Sequence, residues 1–179
     1  MKRLFLVLLT LSAFLALPAA AADKANTVYL DLKDGRITIE LFPEAAPKMV
    51  ERFKTLTKQG FYNGLKFHRV ITGFMAQTGD PTGTGTGGSK LPNVKAEFNK
   101  MPFKRGTLGA ARTNDPDTAN SQFFICFEAA SHLNGQYTAF GQVTEGMQLV
   151  DRIKKGNGPG GEVFNPDTIV KMQLASDAK

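Results

Sequence analysis

Between Lys66 and Val143 the chain divides into short strand-like pieces punctuated by glycine, asparagine and aspartate clusters: Lys66 to Ile71, Phe74 to Thr78, Gly106 to Ala111, Gln122 to Phe127 and Tyr137 to Val143. Pieces this short are cut off before a helix can build, and they bury their apolar residues only by pairing side by side, so this half of the chain reads as many antiparallel strands. The region before it starts in the same way. Thr27 to Leu32 and Arg36 to Leu41 alternate and are joined across Asp34 and Gly35, a strong hairpin signal. Helical spacing enters where Val50, Phe53 and Leu56 recur between Pro47, suited to a first helical turn, and Gly60, suited to a stop. A second short helix is expected over Met147 to Ile153, followed by a glycine and proline loop and a closing strand at Thr168 to Leu174. The pattern predicts a mainly β fold, a barrel or sandwich with two helices.

A length of 179 residues with 42% hydrophobic content suits one domain around one core. The start of the chain is set apart from that core. Lys2 and Arg3 precede an apolar run from Leu4 to Leu17, which ends at Pro18 and a string of alanines. This is the pattern of a secretory signal peptide, and the run is shorter than the roughly 20 residues a membrane span requires. Ala20 and Ala22 supply the small residues of a cleavage site, so the expectation is a signal over residues 1–22, a domain over 23–179 and a periplasmic location without stable membrane association after cleavage. Without Lys2 and Arg3, 20 basic residues face 16 acidic ones, scattered with no run beyond the pairs Lys104–Arg105 and Lys154–Lys155. That distribution argues against a surface that tracks nucleic-acid phosphates.

Several chemistries find little to work with. Gly83, Gly85 and Gly88 match a dinucleotide-binding spacing in the biased segment Asp80 to Lys90, but Pro92 and irregular sequence stand where the phosphate-holding helix belongs. Ser89 followed by Lys90 inverts the order a phosphate-binding P-loop needs. His68 and His132, the only histidines, lack partners at metal-ligand spacing. The lone Cys126 lies inside the apolar run Phe123 to Phe127 and reads as a small buried hydrophobe. Ser121 lacks the flanking glycines of a nucleophile elbow, which leaves a hydrolase as a distant third class.

The stretch Phe67-His68-Arg69-Val70-Ile71-Thr72-Gly73-Phe74-Met75-Ala76-Gln77-Thr78-Gly79-Asp80 resembles the central signature of the cyclophilin-type peptidyl-prolyl isomerases. It is followed in order by Gly106 to Thr113, by Ser121 to Ile125, and by Phe140 to Val143 with Gly146 and Met147, so the resemblance covers essentially the whole chain after residue 22. It implies a closed eight-stranded antiparallel β-barrel capped by two α-helices and rotation about X-Pro bonds with no cofactor, no metal and no covalent intermediate. The implied partners are proline-containing polypeptides, unfolded or newly secreted, met by a monomer.

By that resemblance the catalytic set is Arg69, Gln77, Phe74 and Phe124. Phe74, Met75, Phe124 and Leu133 form the proline pocket, Gln77 and Gln122 bond the substrate backbone and help hold the arginine, and Ala111 and Arg112 lie along the peptide. Two further binding positions depart from the common pattern: His132 stands where a tryptophan is usual and Tyr137 where a histidine is usual, which implies weak sensitivity to cyclosporin. The competing reading is a chaperone module that binds proline segments with little turnover. The presence of Arg69, Phe74, Gln77 and Phe124 together argues for the enzyme.

Overall fold

The computed structural model describes residues 23–178, and the expected signal peptide lies outside the described residues. Strands β1 (Thr27–Leu32) and β2 (Gly35–Leu41) form the expected hairpin. Leu32 pairs with Gly35, so the turn itself is Lys33 and Asp34, and Gly35 is the first residue of β2 rather than part of the turn. Helix α1 (Pro47–Lys58) buries Met49, Val50, Phe53 and Leu56. Its N-terminus has no local side-chain cap; the Glu97 carboxylate reaches in and accepts from the Lys48 and Met49 amides at 3.0 and 2.9 Å. At the other end the Gly60 amide donates to the Thr57 carbonyl at 3.0 Å, closing the helix as expected.

Then follow β3 (Arg69–Ile71), β4 (Met75–Thr78), β5 (Thr107–Ala110), β6 (Phe123–Cys126), β7 (Ala139–Glu145), helix α2 (Met147–Val150) and β8 (Lys171–Leu174). The expected strands are present; most are shorter at their ends, whereas β7 runs two residues beyond the expected Val143, and the second helix stops three residues early because the chain leaves the helix at Asp151. All ladders are antiparallel, in the order β3-β4-β6-β5-β7-β2-β1-β8.

The closed barrel implied by the resemblance is corrected here: no ladder joins β3 to β8, and the sheet is an open half-barrel. The gap has a physical cause. Ahead of β3 the chain meets the approach to β8 at one bridge, Lys66 to Thr168, with the Phe67 amide on the Asp167 carbonyl at 2.9 Å, the Ile169 amide on the Leu65 carbonyl at 2.9 Å and the Gly64 amide on the Ile169 carbonyl at 2.7 Å. The outer edge of β3 itself is occupied by another segment, through an Arg69 to Glu162 bridge.

Alternation along the strands divides side chains between two apolar clusters. Val70, Ala76, Leu108, Phe123, Ile125 and Phe140 point into the main core, where Phe53 packs edge-on against Phe123 with centroids 5.0 Å apart. Met75, Phe124 and Cys126, with Phe103, Leu133 and Ala139, make a second cluster on the opposite face. That outer cluster is the floor of the site.

Candidate active site

Register builds the site. Arg69 pairs with Gln77, Gln77 with Phe124, Phe124 with Gly109, and Gly109 with Ala139. One row perpendicular to the strands therefore runs from a guanidinium through an amide and a phenyl ring to a residue with no side chain. Gly109 is required by that sequence of sizes, because a Cβ there would overlap the Phe124 ring and come within 2.7 Å of Phe103 Cε1. Phe103 stacks on Phe124 at 5.8 Å from beneath.

Above this row lies a cleft of about 810 Å³ lined by Arg69, Phe74, Met75, Gln77, Ala111, Arg112, Phe124, His132, Leu133 and Tyr137, every expected site residue except Gln122. Gln122 lines an adjoining cavity of about 500 Å³ that shares Gln77, Ala111 and Arg112 with the first. The pocket is walled by rings: Phe74 meets the His132 imidazole at 5.3 Å, and Tyr137 meets Phe124 edge-on at 6.0 Å. Arg112 spans the rim, its guanidinium 4.1 Å above the Tyr137 ring while it donates to the Thr113 and Gln136 carbonyls at 2.8 and 2.9 Å. Tyr137 is thus held by a cation over its face.

Arg69 is held from two sides. Its Nη1 donates to Gln77 Oε1 at 3.1 Å and its Nε to the Gly160 carbonyl at 3.0 Å. Gln77 Nε2 donates onward to Gln122 Oε1 at 2.8 Å, and Gln122 Nε2 donates to the Gly85 and Gly87 carbonyls at 3.0 and 2.8 Å. This directional chain links the glycine-threonine segment to the guanidinium. The segment is ordered by Asp80, 1% exposed, whose carboxylate accepts from the Thr82 amide and hydroxyl and from the Thr84, Gly85 and Gly87 amides. Burial works to raise the Asp80 pKa, but the bonds from Thr82, Gly87 and Gly85 outweigh it and lower the value to about 2. The glycine spacing that mimicked a dinucleotide motif is a loop wound around a carboxylate, and the chain after it runs irregularly up to β5.

Sequence reasoning missed several contributors to the cleft, among them His68, Gly85, Gly160 and Glu162. His68 lines it at 7% exposure, with neither ring nitrogen bonded among the described residues, and burial above all lowers its pKa. Its place beside Arg69 in the signature was the available signal. Gly85 and Gly160 also line the cleft, brought there by main-chain bonding that no local pattern reveals. Cys126 is buried as expected, and burial pushes its thiol up to about 12, so it remains an uncharged hydrophobe.

The arrangement is a ring-walled pocket with an apolar floor beside a fixed guanidinium, on a half-barrel of eight antiparallel strands. Such a site grips an apolar ring and directs positive charge at an adjacent carbonyl or amide. Known proteins are similar to this chain in sequence and fold. The family model for cyclophilin type peptidyl-prolyl cis-trans isomerase matches residues 27–174, and the chain belongs to that family. A probable peptidyl-prolyl cis-trans isomerase of Brucella suis is 50% identical over 189 aligned positions, covering 96% of each chain. Peptidyl-prolyl cis-trans isomerase B of Bacillus subtilis is 46% identical over 134 positions, covering 74% of this chain and 93% of its own. Among solved structures, a cyclophilin from Hirschia baltica superposes with a TM-score of 0.80 at 27% identity, covering 88% of this chain and 77% of its own. A cyclophilin-type isomerase from Cryptosporidium parvum, crystallised in the presence of the dipeptide Ala-Pro, gives 0.75 at 29% identity, covering 83% of this chain and 98% of its own.

Proposed function

We infer that the chain is a peptidyl-prolyl cis/trans isomerase acting on X-Pro bonds of polypeptides, with Arg69 as the group that accelerates rotation. Rotation about such a bond is slow because amide resonance sets a barrier of roughly 18 to 20 kcal/mol. Catalysis needs no nucleophile, only a site that binds the twisted amide more strongly than the planar one. The observation that carries this reading is the row of Arg69, Gln77 and Phe124, which sets a charged donor beside an apolar floor.

The proline ring, which has no N–H to satisfy, packs against Phe74, Met75, Phe124 and Leu133. As the amide twists, its nitrogen loses conjugation and its lone pair becomes an acceptor. The Arg69 guanidinium donates to that nitrogen and to the proline-side carbonyl, stabilising charge that exists only in the twisted state. Gln77 and Gln122 hold the guanidinium and bond the peptide backbone, Ala111 and Arg112 run alongside the peptide, and His132 and Tyr137 form the rim.

We read residues 1–22 as a secretory signal, which would make newly secreted, unfolded polypeptides in the periplasm the natural substrates of a monomeric enzyme whose chemistry needs no ATP. The rival, a module that binds proline segments without turning them over, has no use for an arginine held in place by neutral acceptors. Turnover of an Ala-Pro peptide by protein starting at Asp23 tests the activity; tight peptide binding with no acceleration would favour the rival.

A further inference from the structure

We propose that Gly156–Val163 is a positioning element for the Arg69 guanidinium, with Gly161 as its positioning residue; the inference rests on Arg69 being the catalytic group. β3 is the edge of an open sheet, and its outer main-chain groups need partners. The segment supplies them. Its Val163 amide donates to the His68 carbonyl at 3.1 Å, the Val70 amide donates to the Gly161 carbonyl at 2.7 Å, and the Gly156 amide donates to the Val70 carbonyl at 2.9 Å. It closes on itself through the Asn157 amide, which donates to the Glu162 carbonyl at 3.0 Å.

Docked this way, the segment aims the Gly160 carbonyl at Arg69 Nε, 3.0 Å away, opposite the side held by Gln77. Both acceptors are neutral, and none of the ion pairs among the described residues includes Arg69. A carboxylate in that place would fix the guanidinium equally well but offset the charge meant for the substrate. The carbonyl fixes it without a carboxylate at that contact; the segment's own carboxylate, Glu162, lines the same cleft but forms no ion pair with Arg69.

The approach is so close that side chains are excluded. Gly161 has φ +72°, and a Cβ on it would overlap Ile71 Cγ1 and lie 3.0 Å from the Val70 carbonyl oxygen. A Cβ on Gly156 would overlap the Gly161 carbonyl. The glycine and proline run after α2 thus has a task beyond connecting elements.

Isomerase kinetics and nitrogen-15 NMR of the Arg69 Nε–H, assigned by its loss in Arg69→Lys, test the proposal on wild type, Gly161→Ala and Gly156→Ala. In the wild type that proton should exchange slowly with water. In the variants it should exchange faster, and kcat/KM should fall by about ten- to a hundredfold, mostly in kcat, while cooperative unfolding persists. A segment serving only stability would lower the unfolding midpoint and leave kcat unchanged, which would overturn the proposal. If neither variant folds, wild-type exchange as fast as that of free arginine overturns it. Loss of turnover in Arg69→Ala with none in folded Gly161→Ala or Gly156→Ala defeats this inference alone, whereas full activity in Arg69→Ala defeats the catalytic reading beneath it.

Discussion

Arg69 and Phe124 stand in the same cross-strand row, on β3 and β6, with Gln77 of β4 alone between them. The guanidinium and the phenyl ring are thereby spaced by one residue of the intervening strand, and both are placed by sheet register rather than by loop conformation.

Gln77→Ala removes the acceptor for Arg69 Nη1 and breaks the chain to Gln122. A bond to a charged group is worth about 1.5 to 3 kcal/mol, so kcat/KM should fall at least about tenfold. Steady-state isomerase kinetics check this, and the fold should survive because Gln77 points away from the main core.

Gly109→Ala forces a methyl group into the Phe124 ring. Overpacking of this kind costs about 1 to 3 kcal/mol, so urea melts should show that loss. The displaced ring should also raise KM for peptide, a combination that distinguishes it from a core defect remote from the cleft.

Asp80 should make the protein acid-labile. Its folded pKa is depressed to about 2, below the unfolded value, so its contribution is fully present above the unfolded pKa and lost as pH falls toward the folded one. Unfolding free energy should drop by up to about 2 kcal/mol between about pH 5 and pH 2 through this group. Asp80→Asn should remove that part of the pH dependence and lower turnover at neutral pH, since the loop holds Gln122. Urea melts across the acid range and kinetics at pH 7 check both.

Glu97→Ala removes the carboxylate that caps α1. Loss of an N-cap costs about 1 kcal/mol, so the thermal midpoint should fall while kcat/KM stays at the wild-type value. Calorimetry beside the peptide assay separates the two.

What the sequence revealed depends on whether the forces involved are local. The β1–β2 hairpin, α1 and the strand positions follow from alternation, helical spacing and turn residues, all read within a few neighbours. Arg69, Phe74, Met75 and Gln77 followed from one long motif, because they lie within a single hairpin. The contacts that hold these residues in place each join a side chain to a distant main-chain atom: Arg69 to Gly160, Gln122 to Gly85 and Gly87, and Glu97 to the start of α1. Carbonyls and amides belong to every residue, so nothing in the sequence marks which of them will be used. The open edge of the half-barrel was hidden for the same reason. The Gly156–Val163 segment occupies the outer edge of β3 chiefly through main-chain pairing.

The most direct measurement is the rate of cis-to-trans conversion of a short Ala-Pro peptide by the protein from Asp23 onward, beside its Arg69→Ala variant. Strong acceleration by the wild type is expected, with a loss of about a hundred- to a thousandfold in a variant that folds normally, the size of effect that one aligned donor supplies to a transition state. Equal rates from the two proteins, or no acceleration by a folded wild type, would contradict the assignment of catalysis to Arg69.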